Sequence, residues 1–391
     1  MTDRTPVIVG VGLSDSPRAP HLDGIEHHVQ ALRRALDDCG IAKAEIDGYL
    51  CAGGSEAHGG IDDAATMAEY LGISHRWLDG TKTGGSSFEL YVQHAAAAIR
   101  EGACEVALMS YGSDMLSRMG RTLGTQMFGG DEPARGPSQW ERPYGNTLVS
   151  NYAMAAKRHM HEFGTTSEQL AEVAVTMRAH AAMNPHAQYR DPITIDDVLG
   201  SRMVADPLHK LDCCVISDGG GAVIMTTAER ARDLRQIPVY VLGAAMAGSH
   251  WNASQMRDFT TTAAASSGPE AFGQCGLGPD DVDTLQLYDS FTITVVLICE
   301  DLGFCKKGEG GEFVASGALA LGGRTPTNTD GGGLSACHPG MRGLFLLAEA
   351  TRQLRRRAGA AQVPDCRIAL CCGSGGWLSA MGTVILGSDA P

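Results

Sequence analysis

The chain has 391 residues, of which 43% are hydrophobic and 19% charged, and its net charge is −14. That length exceeds one ordinary core and implies two domains or two fused halves, while the composition fits a globular chain and not a disordered one. The acidic balance argues against a broad nucleic-acid surface, and no apolar run approaches the ~18 residues of a membrane span. The start shows no basic-then-apolar segment, so a cytoplasmic protein is expected.

In chain order, Val7 to Gly12 reads as an apolar strand. Ile25, Val29, Leu32 and Leu36 then have helical spacing, and the segment stops at Gly40, a residue favoured just past a helix. Asp47 to Ala52 reads as a strand, Ser87 to Arg100 as an Ala-rich helix, and Val106 to Ser110 as another strand. From about Met119 to Leu211 the pattern changes to helical segments rich in His and Met, expected to form an insertion lying over the first half. Ala222 to Thr226 is strand-like again.

A second series starts at Val239 to Leu242. It continues through the strand Thr284 to Leu287, helices Thr294 to Leu302 and Arg342 to Arg356, and strands Arg367 to Leu370 and Met381 to Leu386. Such alternation in two successive stretches, 1–235 and 236–391, implies a layered α/β protein with mixed sheets. The core is expected to hold Val7 to Val9, Val106 to Met109, Leu285 to Leu287 and Ile368 to Leu370.

The 12 cysteines include the adjacent pairs Cys213-Cys214 and Cys371-Cys372, which suit neither a disulfide framework nor spaced metal ligands. His27-His28 and His159-x-His161 lack partners at zinc spacing, so no metal site is expected. Buried thiols in a reducing compartment are the expectation. The four arginines from Arg352 to Arg357 are expected on a solvated helix face.

Two blocks carry most of the chemical information: Tyr288-Asp289-Ser290-Phe291-Thr292 and Asn328-Thr329-Asp330-Gly331-Gly332-Gly333-Leu334-Ser335-Ala336-Cys337-His338-Pro339-Gly340. Around them, in order, stand Asn151-Tyr152-Ala153, Asn184-Pro185, Ala205-Asp206-Pro207-Leu208, Ser217-Asp218-Gly219-Gly220-Gly221-Ala222 and Glu300-Asp301-Leu302-Gly303. Over nearly its whole length the chain resembles the thiolase superfamily, in the sterol-carrier-protein-x branch. The resemblance implies a thiolase fold of two similar α/β halves with a helical insertion (the loop domain). It also implies a homodimer and a CoA thioester as substrate, with no bound cofactor.

The branch usually carries His-Asp-Cys-Phe in the first block, so Tyr288 and Ser290 are departures. Thiolases also place a cysteine at the N-terminus of a buried helix, where the helix dipole favours thiolate. Counting back from Gly102, that slot falls at Gly85, within Thr83-Gly84-Gly85-Ser86-Ser87. Ser86 and Ser87 read either as helix caps or as substitute nucleophiles, and the local sequence offers no paired base.

The resemblance makes His338 the histidine that helps hold the thioester oxygen as enolate charge develops. Tyr288 stands in the slot of a family histidine, to donate to the same oxygen or to take a proton; Asp289 reads as a loop residue binding backbone. Cys371 resembles the acid/base cysteine of many thiolases, with Gly373 as an N–H donor. In the sterol-carrier branch that cysteine sits where this chain has Ser290, so Cys371 reads either as a proton shuttle or as a buried thiol. Gly85, Ser86, Ser87 and Gly373 are the expected oxyanion or substrate-binding positions. Tyr288, His338 and Cys371 are expected to converge on one pocket, opposite Gly85.

The combination is most similar to thiolase-like steroid side-chain aldolases. For that subgroup the resemblance implies retro-aldol cleavage of a β-hydroxyacyl-CoA, and a small partner protein with an OB fold, often joined to a zinc ribbon. Two alternatives stay open: an acetyl-CoA acetyltransferase or thiolase using a serine or an unexpected cysteine, and a noncatalytic acyl-CoA or lipid binder.

Overall fold

The computed structural model describes residues 3–52, 63–119 and 135–390. Among them the strands, in chain order, are β1 (Pro6–Leu13), β2 (Gly48–Leu50), β3 (Trp77–Asp79), β4 (Val106–Ser113), β5 (Met203–Ala205), β6 (Leu208–His209), β7 (Gly219–Thr227), β8 (Val239–Gly248), β9 (Thr284–Leu287), β10 (Ile368–Gly375) and β11 (Ala380–Gly387). Nine form one sheet in the order β3-β2-β4-β7-β1-β8-β11-β10-β9, and β5 pairs with β6 separately.

The sheet contains one path traced twice. In the first half β2 runs parallel to β3 and β4, β4 is antiparallel to β7, and β7 is antiparallel to β1. In the second half Leu285 of β9 bridges Thr327 in parallel, β9 runs parallel to β10, β10 is antiparallel to β11, and β11 is antiparallel to β8. The two halves join where β1 meets β8, through Val7 opposite Tyr240 and Ile8 opposite Val239. This is the thiolase fold, and no sequence repeat announces the duplication.

Local chemistry explains the elements. The helix Gly24–Cys39 opens on a reciprocal cap between Asp23 and Glu26, and closes at Gly40, whose φ of 83° lets its N–H reach the Leu36 carbonyl. That helix lies hard against β1. A Cβ at Gly12 would sit 2.3 Å from the Ala31 carbonyl oxygen and 2.4 Å from the Ala35 nitrogen, so only glycine permits the approach. Val7 to Val9, Val106 to Met109, Leu285 to Leu287 and Ala369 to Leu370 are buried as expected, whereas Ile368 is only half-buried.

The insertion corrects an expectation. Its segment 120–134 lies outside the described residues; its helices Leu148–Phe163 and Ser167–Met183, each opened by a threonine cap, are described. They pack on the second half and not over the first: Val149, Tyr152, Leu170 and Met177 share one apolar cluster with Ile293, Val296, Leu297 and Leu370. A buried hydrogen bond anchors them, His159 Nε2 lying 3.0 Å from Glu300 Oε1, which also accepts the Gly310 N–H at 2.8 Å.

Arg355 is a second correction. Instead of lining a solvated face it is buried, bonding the Asp38 carboxylate at 2.8 Å and the Val9 carbonyl at 2.8 Å. The helix Ala264–Cys275, which contains Pro269, and the short edge strand β3 were not legible as periodic patterns. No helix among the described residues is long and apolar enough to cross a membrane.

Gly12→Ala is expected to destabilise the protein by about 1–3 kcal/mol, because neither backbone atom facing the new methyl can yield. Urea unfolding would measure this; an unchanged midpoint would contradict the packing described.

Candidate active site

Two loops of the second half are locked together edge to edge. At the end of β9, the Asn328 carboxamide bridges Leu287 in both directions, accepting its N–H at 2.7 Å and donating to its carbonyl at 2.8 Å. One turn on, the Asp289 carboxylate accepts the Gly333 N–H at 2.7 Å and the Leu334 N–H at 3.0 Å. Arg342, fully buried, grips the Asp330 carboxylate at 2.6 and 2.7 Å and donates to the Cys337 carbonyl at 2.6 Å. Its Nε lies 3.6 Å from Asp289. Burial raises the Asp289 carboxyl to about 6, against the pull of Arg342.

This lock sets Tyr288 and His338 face to edge, with ring centroids 5.5 Å apart. Tyr288 Oη and His338 Nε2 are 3.0 Å apart, and the phenol also reaches the Gly340 carbonyl at 3.3 Å. A consistent network has His338 Nε2–H donating to the phenol oxygen and the phenol O–H donating to Gly340; that tautomer is assigned from the geometry. Burial, then the charge of Arg342, pushes His338 down to about 3. Burial alone is the leading cause that raises the Tyr288 phenol well above its ordinary value. Both side chains are therefore neutral near pH 7.

The pair faces a cavity of about 170 Å³, which Gly85, Tyr152, Cys214 and Ser290 also line. Gly85 lies against the ring: a Cβ there would stand 2.3 Å from Tyr288 Cε2 and 2.6 Å from Cζ. A second recess of about 270 Å³ shares Val149, Cys213, Cys214 and Ile216 with the cavity, and carries Arg178, Arg202 and Lys210.

The structure thus brings Tyr288, His338 and Gly85 together. Cys371 does not join them: its thiol donates to the Leu346 carbonyl at 3.5 Å, against the helix Gly343–Leu354, and is absent from the cavity wall. Strand alternation on β10 turns it to the opposite face. Ser86 and Ser87 are also absent from that wall. Ser86 Oγ lies 3.1 Å from Thr83 Oγ1, and Ser87 donates to the Gly84 carbonyl at 2.7 Å, so both serve the helix entry. Gly373 is covered by Glu89, whose Oε2 would lie 2.0 Å from a Cβ there, and Ser374 and Gly376 face the cavity instead.

Tyr152, Cys214 and Glu89 had no signal as site residues. Tyr152 reaches the cavity only because the insertion docks on the second half. Glu89, on the first turn of the helix Ser87–Glu101, is fully buried, and neither carboxyl oxygen has a hydrogen-bond partner among the described residues. Burial raises its pKa to about 8.

The thiolase N-terminal domain pattern matches residues 2–229, and the thiolase C-terminal domain-like pattern matches residues 245–388. The chain belongs to the thiolase superfamily of enzymes. It is 35% identical over 363 residues to a steroid side-chain-cleaving aldolase of Thermomonospora curvata, covering 89% of this chain and 90% of that one. It is also 35% identical over 358 residues to a 17-hydroxy-3-oxo-4-pregnene-20-carboxyl-CoA lyase of Mycobacterium tuberculosis, covering 89% and 91%. An acetyl-CoA acetyltransferase of Methanothermobacter thermautotrophicus is 42% identical over 240 residues, covering 61% and 63%. Among solved structures, the Ltp2-ChsH2(DUF35) aldolase superposes with a TM-score of 0.87 at 31% identity, covering 100% of this chain and 99% of that one.

Glu89 generates a prediction. Its folded pKa of about 8 exceeds the ordinary 4.5, so the folded state holds a proton that the unfolded state releases. Stability from this group is fully present below pH 4.5 and falls by about 1.4 kcal/mol per pH unit as pH rises towards 8. Glu89→Gln is expected to match the parent near pH 4.5 and to gain in Tm over it progressively up to pH 8. Parallel Tm–pH curves would show that Glu89 is ionised in the fold.

Proposed function

We propose that the protein is a thiolase-fold carbon–carbon lyase that cleaves a β-hydroxyacyl-CoA into a ketone or aldehyde and a shorter acyl-CoA. The observation that carries this reading is the contact between Gly85 and Tyr288. A cysteine at position 85 would overlap the Tyr288 ring, so the space in which a thiolase would hold its nucleophile is filled by a phenol. Thiolytic cleavage needs that covalent acyl acceptor. Retro-aldol cleavage does not.

What the cavity does offer is enolate stabilisation. As the Cα–Cβ bond breaks, negative charge grows on the thioester oxygen. The thioester oxygen takes over two donors that in the free site serve the phenol oxygen and the Gly340 carbonyl, His338 Nε2–H and the Tyr288 O–H, and their neutral, desolvated state strengthens both interactions. The adjoining recess supports a CoA ester, since Arg202 and Lys210 are exposed cations on an acidic protein, suited to its phosphates. The two 35%-identical relatives support a steroid side chain as the acyl group. The solved two-component aldolase supports a small partner protein.

A second reading, acyl transfer through an unexpected cysteine, rests on Cys213 and Cys214 lining the same cavity. Burial is the leading cause that raises the Cys214 thiol to about 12, which leaves about one part in 10⁵ as thiolate at pH 7. That disfavours it as a nucleophile.

Turnover of a β-hydroxyacyl-CoA without free CoA, followed by carbonyl release, is the deciding assay. His338→Ala is expected to lose about 10²-fold or more, the worth of one oxyanion donor, and Tyr288→Phe to lose most activity with the fold retained. A requirement for free CoA, or a stable acyl adduct on Cys214, would reverse the assignment. The steric argument has its own test. Gly85→Cys alone is expected to lower Tm, and the pair Gly85→Cys with Tyr288→His to recover only the part of that loss due to the ring, since the Ser374 carbonyl oxygen still stands 2.5 Å from the new Cβ. A single Gly85→Cys variant of unchanged Tm would remove that argument.

A further inference from the structure

The cavity has a second polar pole that the enolate donors leave unused. Tyr152, on the first turns of the insertion helix Leu148–Phe163, is buried, yet it lines the same cavity as the Tyr288 pair. Its ring is held from two sides, stacked on Phe291 at a centroid distance of 4.3 Å and edge-on to Trp377 at 6.4 Å. The helix that carries it is pinned at its start by Thr147, whose Oγ1 accepts the Ser150 N–H at 3.2 Å while its own N–H donates to Ser150 Oγ at 2.7 Å. Ser290 and Ser374 line the same cavity, and burial raises the Tyr152 phenol above its ordinary value.

Resting on the retro-aldol reading, we propose that Tyr152 is the catalytic residue that carries the proton from the β-hydroxyl of the substrate to Cα. The balance is closed without an external base. The β-hydroxyl O–H bond breaks and its electron pair becomes the C=O of the leaving ketone or aldehyde, while its proton goes to Tyr152 Oη. The Cα–Cβ pair moves to Cα, stabilised through the thioester oxygen that Tyr288 and His338 hold. Tyr152 Oη takes up that proton only as its own passes to Cα, in one concerted transfer, so the phenol never carries two protons and ends as it began.

The test compares purified full-length variants on one β-hydroxyacyl-CoA. Tyr152→Phe keeps the stacking on Phe291 and Trp377. It is expected to leave Tm and KM near the parent values and to lower kcat by about 10²-fold or more, the usual worth of a positioned acid/base. Ring-fluorinated tyrosine at position 152, which alters the acidity of the phenol with little change of shape, is expected to change kcat in step with the number of fluorines. A merely structural ring would not respond. If the parent cleaves the substrate and Tyr152→Phe cleaves it within threefold, or if kcat ignores fluorination, the role of Tyr152 falls while the lyase reading stands. If the parent releases no carbonyl product, the lyase reading falls, and the proposal with it.

Discussion

Everything at this site hangs on the burial of Arg342. A guanidinium with no exposure is tolerated only beside opposite charge, and here its two terminal nitrogens bond Asp330 and the Cys337 carbonyl, while Nε, without a hydrogen bond, lies 3.6 Å from the Asp289 carboxylate. Removing one partner from such a cluster costs about 3–5 kcal/mol, so the loop 328–342 has one arrangement available. The same charge reaches His338 and helps keep its imidazole neutral. One buried cation thus sets both the position of the histidine and its protonation state, and through Asp289 it fixes the loop that presents Tyr288.

A neutral site is the consequence. His338 and the two phenols lack standing charge near pH 7, and the thiols lining the cavity are raised by burial. Chemistry in such a place favours hydrogen-bond donors that act as charge develops on the substrate, over nucleophiles that must be charged beforehand. The helix Ser87–Glu101 still points its N-terminus at the cavity, the arrangement that would favour a thiolate. At its entry a Cβ on Gly85 would meet both the Tyr288 ring at 2.3 Å and the Ser374 carbonyl oxygen at 2.5 Å. The unpartnered Glu89 carboxyl beneath them is a buried polar group without the usual satisfaction, which is where natural proteins tend to give up stability near working sites.

The docking of the insertion matters for the same reason. Held by His159, Glu300 and the apolar cluster around Ile293 and Leu297, it closes the cavity from the second half and supplies Tyr152. A helix lying over the first half would have left the polar loop 288–291 uncovered. The cavity is therefore built from three separate stretches of chain: the helix entry at Gly85, the insertion, and the paired loops.

Short-range information sufficed for much of this. Periodicity, caps and glycine stops placed the helices Gly24–Cys39 and Ser87–Glu101 and most strands within a few residues, because those signals depend on neighbours three or four positions away. The motif blocks at 288–292 and 328–340 marked Tyr288 and His338, which the fold sets 3.0 Å apart. Side-chain direction and docking could not be read in the same way. Whether Cys371 or Ser374 faces the cavity depends on the phase of β10 against β9 and β11, and that Arg355 is buried depends on Asp38, 317 positions away. Tyr152 is the clearest case. Its sequence neighbourhood belongs to an inserted helix of the first half, and only burial of that helix against the second half turns an ordinary packing tyrosine into a wall of the cavity. Contacts between residues remote in the chain are settled by the total area and shape that the whole fold can bury, a quantity that no local window contains.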